Sequence, residues 1–173
     1  ILPSKEWKEN RFKESWWPGD TISVGIGQGY WTATPIQIAN ATNILVNKGV
    51  NHPPHLAQVA KKEDDVTQIN NEEKPPVVLN NPDNWRIAID AMHNTVTKVT
   101  GTAHKAFKGV NYDPAGKTGT AQVVSIAQGE KYDAESLKER QRDNAIYVGF
   151  APYNNPQIVV SIVVENNGGG STV

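Results

Sequence analysis

Residues 145–165, AIYVGFAPYNNPQIVVSIVVE, contain two apolar runs with a short polar segment between them. The second run consists almost wholly of Val and Ile, the β-branched residues that are typical of strands. The connecting segment, Pro152–Pro156, contains two prolines and two asparagines, which favour a turn. We therefore predict that Ala145–Ala151 and Gln157–Glu165 form an antiparallel β-hairpin.

A third strand and two helices are predicted before this hairpin. Gly116–Ser125 is predicted to be the third strand. One helix begins at Thr34-Pro35, with Thr34 as the N-cap and Pro35 at the first helical position, and Gly49 is expected to end it. The other begins near Asn81-Pro82, and its apolar residues form one buried stripe: Trp85, Ile89, Met92 and Val96. Helices followed by adjacent strands predict an α+β fold with an antiparallel sheet.

The other segments are less regular. Ile1–Asp20 lacks a clean period and is interpreted as irregular surface chain anchored by tryptophans. Asn51–Lys74 is polar, and both a loop and an exposed hairpin remain open. A short helical patch is expected after Ala103. Within the charged insert Ala127–Asp143, the portion Asp133–Arg142 is compatible with a mobile helix, and the insert is expected to be mobile or disordered.

Composition excludes several classes of function. The chain has 173 residues, the size of one domain or a large piece of one, and its formal net charge of -1 does not favour nucleic acid or anionic lipid. It contains no cysteine, so disulfides, zinc-thiolate sites and a cysteine nucleophile are excluded. No metal or cofactor is expected. The alternating glycines Gly25, Gly27 and Gly29 lack the spacing and context of a dinucleotide fingerprint.

The sharpest chemical signal is Lys117-Thr118-Gly119-Thr120 at the head of the predicted third strand. Gly119 lets a ligand lie against the strand, the two hydroxyls can bind a carboxylate, and the ammonium adds positive charge. Lys-Thr-Gly is one of three motifs of the penicillin-recognising serine enzymes. On its own the triplet is weak, because short strings of this kind occur in ordinary loops.

Other blocks strengthen this signal because they follow one another in a family's order. The sequence resembles the class B penicillin-binding proteins, and within them the elongation branch of Gram-negative bacteria, over essentially all residues. The resemblance is carried by these blocks: Glu6-Trp7-Lys8 to Arg11-Phe12-Lys13, Gly19-Asp20-Thr21, Gly25–Gln37, Gly101-Thr102-Ala103-His104, Lys117–Val123 and Phe150–Gln157.

This resemblance implies a D,D-transpeptidase that cross-links peptidoglycan stem peptides during cell elongation and is acylated by β-lactams. It implies a five-stranded antiparallel sheet with helices on both faces. Lys117 would assist electrostatically and in proton transfer, and Thr118 and Thr120 would bind the carboxylate of substrate or β-lactam. The Thr120 backbone N–H would be an oxyanion donor, and Gly119 would keep the strand edge open. No chemistry is assigned to Gly27-Gln28-Gly29, expected to pack as a loop, or to His104, expected to be exposed.

Two further motifs of the family are missing. Ser4 and Ser136 do not fit Ser-x-x-Lys, and Ser125 does not fit the second serine motif. We expect residues 1–173 to be the C-terminal part of a transpeptidase domain, inactive alone because the nucleophile is upstream. A non-catalytic substrate-binding or scaffold module of the same fold remains an alternative. A class A β-lactamase is disfavoured, since that class lacks the Gly-Gln-Gly…Thr-Pro-x-Gln block.

The resemblance also implies a location and partners. The expected location is the periplasmic domain of a protein anchored in the inner membrane. The expected partners are stem peptides, β-lactams, the upstream part of the same domain and a membrane glycosyltransferase of the SEDS type, with no nucleic acid. The strand Gln157–Glu165 would lack its neighbour, so self-association of the isolated chain is expected.

Overall fold

The computed structural model describes residues 1–57, 59–62, 65–68, 74–124, 133 and 136–171. These residues contain helices and antiparallel strands, which confirms the predicted α+β class. In chain order the elements are α1 (Lys5–Phe12), α2 (Pro18–Gly25), α3 (Pro35–Val46), β1 (Val59–Lys62), β2 (Asp65–Gln68), α4 (Asp83–Thr97), β3 (Ala115–Ala121), a 3-10 helix (Glu139–Gln141), β4 (Asn144–Ala151) and β5 (Ile158–Val164).

The main sheet has three antiparallel strands in the order β3-β4-β5. Ala115 lies opposite Phe150, and Phe150 lies opposite Val159, so these three share one face. We call this the helix face, because α3 and α4 pack against it; Met92, Ala115 and Phe150 form its buried core. Residues that alternate with these lie on the opposite face, called the open face. Thr118, for example, lies opposite Tyr147 there.

Helix α3 begins where its sequence predicts. Thr34 and Gln37 form a capping box: the Gln37 N–H donates to the Thr34 hydroxyl (3.4 Å), and the Thr34 N–H donates to the Gln37 side-chain oxygen (2.9 Å). Pro35 occupies the first helical position. The chain leaves the helix through Gly49, whose φ of +101° favours glycine. Start and stop signals of α3 are therefore confirmed.

Helix α4 begins at Asp83, slightly after the predicted Asn81-Pro82. Pro82, not Asn81, is the N-cap residue, and it provides no side-chain cap; the Asn81 side-chain oxygen accepts a hydrogen bond from the Asp83 N–H (2.9 Å) in a turn that precedes the helix. Met92 and Val96 are buried, and Ile89 packs against the core. The predicted apolar stripe is confirmed at Ile89, Met92 and Val96, whereas Trp85 is only half-buried.

The segment Asn51–Lys74 contains an exposed hairpin, which decides between the two alternatives left open by its sequence. Strands β1 and β2 pair antiparallel, and Asn51 forms an isolated bridge with Lys74. Val59 and Val66 are exposed, so the hairpin contributes little apolar burial.

The prediction of irregular chain over Ile1–Asp20 is wrong, because this segment contains α1 and the start of α2. Ser4 caps α1 by accepting a hydrogen bond from the Trp7 N–H (3.1 Å), and Pro18 opens α2. The prediction failed because α1 is polar on nearly every side, which hides the helical period.

Two smaller predictions need correction, and a third, the mobility of the charged insert, lies largely outside the described residues and stays a prediction. Strand β3 ends at Ala121, short of the predicted Ser125, which lies outside the described residues. Turns occupy residues 100–109 where a short helical patch was expected. In the charged insert, residues 127–132 and 134–135 lie outside the described part, and Glu139–Gln141 form a 3-10 helix. None of the described helices is both long and apolar enough to cross a membrane.

Candidate active site

The motif Lys117-Thr118-Gly119-Thr120 lies within strand β3, as predicted, and its side chains alternate between the two faces of the sheet. Lys117 lies opposite Val148 and is exposed, and its ammonium donates a hydrogen bond to the Thr118 carbonyl oxygen (2.6 Å). Thr118 is buried, whereas Thr120 is exposed. The motif therefore presents one ammonium and one exposed hydroxyl, with a buried hydroxyl between them.

The Thr118 hydroxyl has a partner from another part of the chain. The hydroxyl oxygens of Thr102 and Thr118 are 2.7 Å apart. Gly101 allows the turn to lie against the end of α4, since a β-carbon at this position would clash with the Thr95 carbonyl oxygen. The Gly101–His104 block and the motif strand, separate in sequence, are thus joined through Thr102 and Thr118.

A cleft of about 450 Å³ lies beside the motif strand. One wall is Lys117–Ala121, and another is the loop after α2, contributed by Ile26, Gly27 and Gln28. Gly170 and Ser171 also line it. The sequence assigned no chemistry to the glycine-glutamine-glycine segment, and the structure places it across the cleft from the motif.

The backbone conformation of this loop explains why two of its residues are glycines. Gly27 and Gly29 adopt φ values of +77° and +65°, in the left-handed region that favours glycine. The N–H of Gly27 donates to the Val24 carbonyl oxygen (3.0 Å), and the N–H of Gln28 donates to that of Ser23 (2.9 Å), which satisfies the end of α2. Gln28 is thereby carried to the cleft on a loop with a defined backbone.

The glycine run after β5 returns to the motif strand. The Gly170 N–H donates to the Gly119 carbonyl oxygen (3.1 Å), and the Gly168 N–H donates to the Asp143 carbonyl oxygen (2.9 Å). A β-carbon at position 170 would lie 2.5 Å from the Gly119 carbonyl oxygen and would also clash with that of Ile146. Only glycine fits this approach. The signal in the sequence that could have predicted it is the run Gly168-Gly169-Gly170.

On the open face, Tyr147 lies across two glycines. A β-carbon at Gly116 or Gly149 would clash with the Tyr147 ring, so both glycines make room for it. Phe107 packs against the ring at 5.4 Å between centroids. Burial, with a smaller contribution from Tyr112, raises the pKa of the Tyr147 phenol to about 12. Tyr147 thus remains a neutral packing residue across the physiological range.

The expectation of an exposed His104 is wrong. Its ring is half-buried, and its Nδ1 lies 3.2 Å from the Val96 carbonyl oxygen, which ties the turn to α4. Within the described ranges, no group of three or more His, Asp or Glu residues has the arrangement to hold a metal ion.

Residues 4–173 match the family model for the penicillin binding protein transpeptidase domain. The chain belongs to this transpeptidase family. Among curated members, the peptidoglycan D,D-transpeptidase MrdA of Haemophilus influenzae is 46% identical, and the match covers 99% of this chain and 26% of that protein. MrdA of Escherichia coli K12 is 44% identical over 99% of this chain and 27% of its own length. The chain therefore spans about a quarter of these relatives.

Solved structures of penicillin-binding proteins have the same fold. Pseudomonas aeruginosa PBP2, crystallised in complex with WCK 5153, superposes with a TM-score of 0.79 at 40% identity, and the match covers 99% of this chain and 34% of that one. PBP2 of Helicobacter pylori in its complex with MreC has a TM-score of 0.79 at 29% identity, over 99% of this chain and 28% of its own. The predicted family and fold are confirmed.

Proposed function

We propose that these residues are the C-terminal part of the transpeptidase domain of an elongation-type peptidoglycan D,D-transpeptidase. In the full-length protein, the enzyme would cross-link stem peptides and bind penicillin. One observation carries the proposal: Lys117–Thr120 lines a cleft opposite the Ile26–Gln28 loop, in a chain 44–46% identical to named D,D-transpeptidases.

The chemistry would proceed through a serine ester. The nucleophilic serine lies in the part of the domain that precedes these residues. Its hydroxyl oxygen gives up its proton and bonds to a carbonyl carbon of the donor stem peptide, the amide C–N bond breaks, and that proton is delivered to the leaving nitrogen. An amine of a second stem peptide then displaces the serine. With a β-lactam, the ring amide breaks instead and the leaving nitrogen stays attached.

The motif strand would serve this reaction from one side. The Lys117 ammonium stabilises negative charge that develops on the reacting atoms and assists proton transfer. The Thr120 hydroxyl, exposed on β3, donates to the substrate carboxylate. Thr118 can do the same while its oxygen accepts from Thr102, because a hydroxyl both donates and accepts. The Thr120 N–H is the proposed oxyanion donor, and Gly119 leaves room for the ligand.

The proposed location is the periplasm, in a protein anchored in the inner membrane. The proposed partner is a membrane glycosyltransferase of the SEDS type. Two structural relatives support an assembly of this kind: a PBP2 in complex with MreC, and a peptidoglycan synthase complex that coordinates polymerization and crosslinking, the latter at 30% identity and a TM-score of 0.69.

The test is covalent labelling of the full-length protein with a fluorescent penicillin, followed by peptide mapping. We expect a label on a serine upstream of Ile1, and no label on residues 1–173 produced alone. A full-length protein that takes no label would overturn the enzymatic proposal and favour a non-catalytic module. A label mapped to a serine within residues 1–173 would overturn the division of the domain proposed here.

A further inference from the structure

Lys8 is the most deeply buried large side chain among the described residues, with 2% of its surface exposed. It lies on α1, a helix whose other charged residues are exposed. Burial of an ammonium is unfavourable unless the charge is paired and hydrogen-bonded. Because the Lys8 side chain has almost no contact with solvent, its ammonium must be stabilised by neighbouring groups of the protein.

The first partner of Lys8 is Asp20, at the start of α2. The Lys8 Nζ and the Asp20 Oδ2 lie 2.7 Å apart. The same oxygen accepts a hydrogen bond from the Trp17 N–H (2.7 Å), so the aspartate also caps α2. The hydrogen bond to Asp20 raises the pKa of Lys8, while the bond from Lys8 and that from Trp17 lower the pKa of Asp20. Both groups are therefore charged at neutral pH.

The second partner of Lys8 is Tyr30, directly after the glycine loop. The Lys8 Nζ lies 5.4 Å from the centre of the Tyr30 ring, within the range of a cation–π contact. Trp7 and Phe12 hold the same ring from α1, each with its centroid 5.4 Å away. Lys8 and its helix therefore contact the chain on both sides of the loop, at Asp20 and at Tyr30.

Between these two anchors lies the wall of the cleft. Ile26, Gly27 and Gln28 line it, whereas Lys8 does not. We propose that Lys8 is a positioning residue: through Asp20 and Tyr30 it holds the Ile26–Gln28 wall against Lys117–Thr120 and so sets the affinity for the ligand in the cleft. This inference rests on the proposed function, since it takes the cleft to be the ligand site.

The test measures acylation of the full-length protein by a β-lactam, separating the dissociation constant of the initial complex from the acylation rate constant. The variant is Lys8→Met, which nearly keeps the length of the side chain and removes its charge. The inference takes Gln28, which lines the cleft, to give the ligand one hydrogen bond, and loss of that bond should raise the dissociation constant about tenfold. The acylation rate constant should stay within about twofold, because Lys117 is untouched.

The matched control is Lys5→Met on the same helix, where the lysine is exposed. It should leave both constants unchanged. Gln28→Ala should reproduce the loss of Lys8→Met, and the double variant should lose no more than the larger single loss, since both act through one wall. Losses that multiply in the double variant, or an unchanged dissociation constant in Lys8→Met, would overturn the inference.

Asp20→Asn keeps the inference testable if Lys8→Met fails to fold. It removes the partner charge and should give the same tenfold rise in the dissociation constant. If the unsubstituted protein is not acylated at all, the proposed function fails. If it is acylated, and Lys8→Met and Asp20→Asn are acylated with the same constants as the unsubstituted protein, only the role of Lys8 fails.

Discussion

The Thr102 and Thr118 hydroxyl oxygens lie 2.7 Å apart and join the turn after α4 to the motif strand. The two residues belong to different blocks of the sequence, and their bond gives the Thr118 side chain a single orientation beside the cleft. If Thr118 binds a carboxylate as proposed, the orientation of its hydroxyl depends on Thr102, a residue outside the motif. Thr118 thus has one observed role, attachment of the turn, and one proposed role, ligand binding.

Replacing Lys117 should impair acylation and leave folding intact. One well-placed electrostatic group contributes about 2.7–4 kcal/mol to transition-state stabilisation, so Lys117→Ala in the full-length protein should slow acylation by roughly 100-fold or more. Its exposed side chain predicts little change in melting temperature. Lys108→Ala, at an exposed lysine outside the cleft, is the control. A second-order acylation rate within about threefold of the original would assign Lys117 a structural role.

Replacing the threonine hydroxyls should weaken binding of β-lactams that carry a carboxylate. A hydrogen bond to a charged group contributes about 1.5–3 kcal/mol, so Thr120→Val should raise the dissociation constant of a carboxylate ligand more than that of its methyl ester. Thr118→Val should act likewise. Thr102→Val removes the hydroxyl that contacts Thr118 and leaves the motif residues unchanged. Its effect on the dissociation constant therefore measures attachment of the turn separately from ligand binding by Thr118. Equal losses for acid and ester would contradict the proposed contact.

A methyl group at position 170 should destabilise the protein. Its β-carbon would clash with backbone carbonyl oxygens of Gly119 and Ile146, and these cannot rotate away. Overpacking of this kind costs about 1–3 kcal/mol, so Gly170→Ala should lower the melting temperature and acylation together. Gly169→Ala is the control for the melting temperature, since its β-carbon would meet the Thr120 hydroxyl at 3.3 Å, and this group can rotate. Equal melting temperatures for both variants would show that stability does not depend on the close approach of Gly170 to the backbone of Gly119 and Ile146.

The Lys8–Asp20 pair should make stability depend on pH at both extremes. Lys8 has its pKa raised above 10.5, so its contribution is complete below that pH and is lost as the pH rises through the raised value. Asp20 has its pKa lowered below 3.8, so its contribution is complete above that pH and is lost as the pH falls through the lowered value. Urea midpoints of the original protein minus those of Lys8→Met should form a plateau between these limits. A difference that changes between about pH 5 and pH 9 would contradict the pairing.

Residues 1–173 produced alone should associate through β5. This strand lies at the edge of the described sheet, and Ile158, Val160 and Ile162 are exposed on it. An apolar edge strand with unpaired backbone groups pairs readily with another copy. Size-exclusion chromatography with light scattering should show oligomers, and hydrogen exchange should locate the contact at β5. A monomer whose β5 amides are strongly protected would show that the chain satisfies its own edge.

Local signals in the sequence predicted most of the secondary structure. The Thr34 capping box, Gly49 and the Val-Ile run of β5 act within a few residues of the positions they determine, so they can be read without knowledge of the fold. The motif Lys117–Thr120 could be recognised for the same reason, because its residues are consecutive in the sequence. Helix α1 was not predicted, because its sequence contains an N-cap residue but no apolar stripe.

The sequence by itself determined the fold class, the family and one wall of the cleft. The tertiary structure alone decided what lines the cleft with that wall: Gln28 from the loop after α2, and Gly170 and Ser171 from beyond β5. It alone also brought Thr102 into contact with Thr118. It alone showed that Lys8 is buried. The physical reason is that these contacts join residues far apart in the chain, and their formation depends on the packing of whole elements rather than on any local pattern.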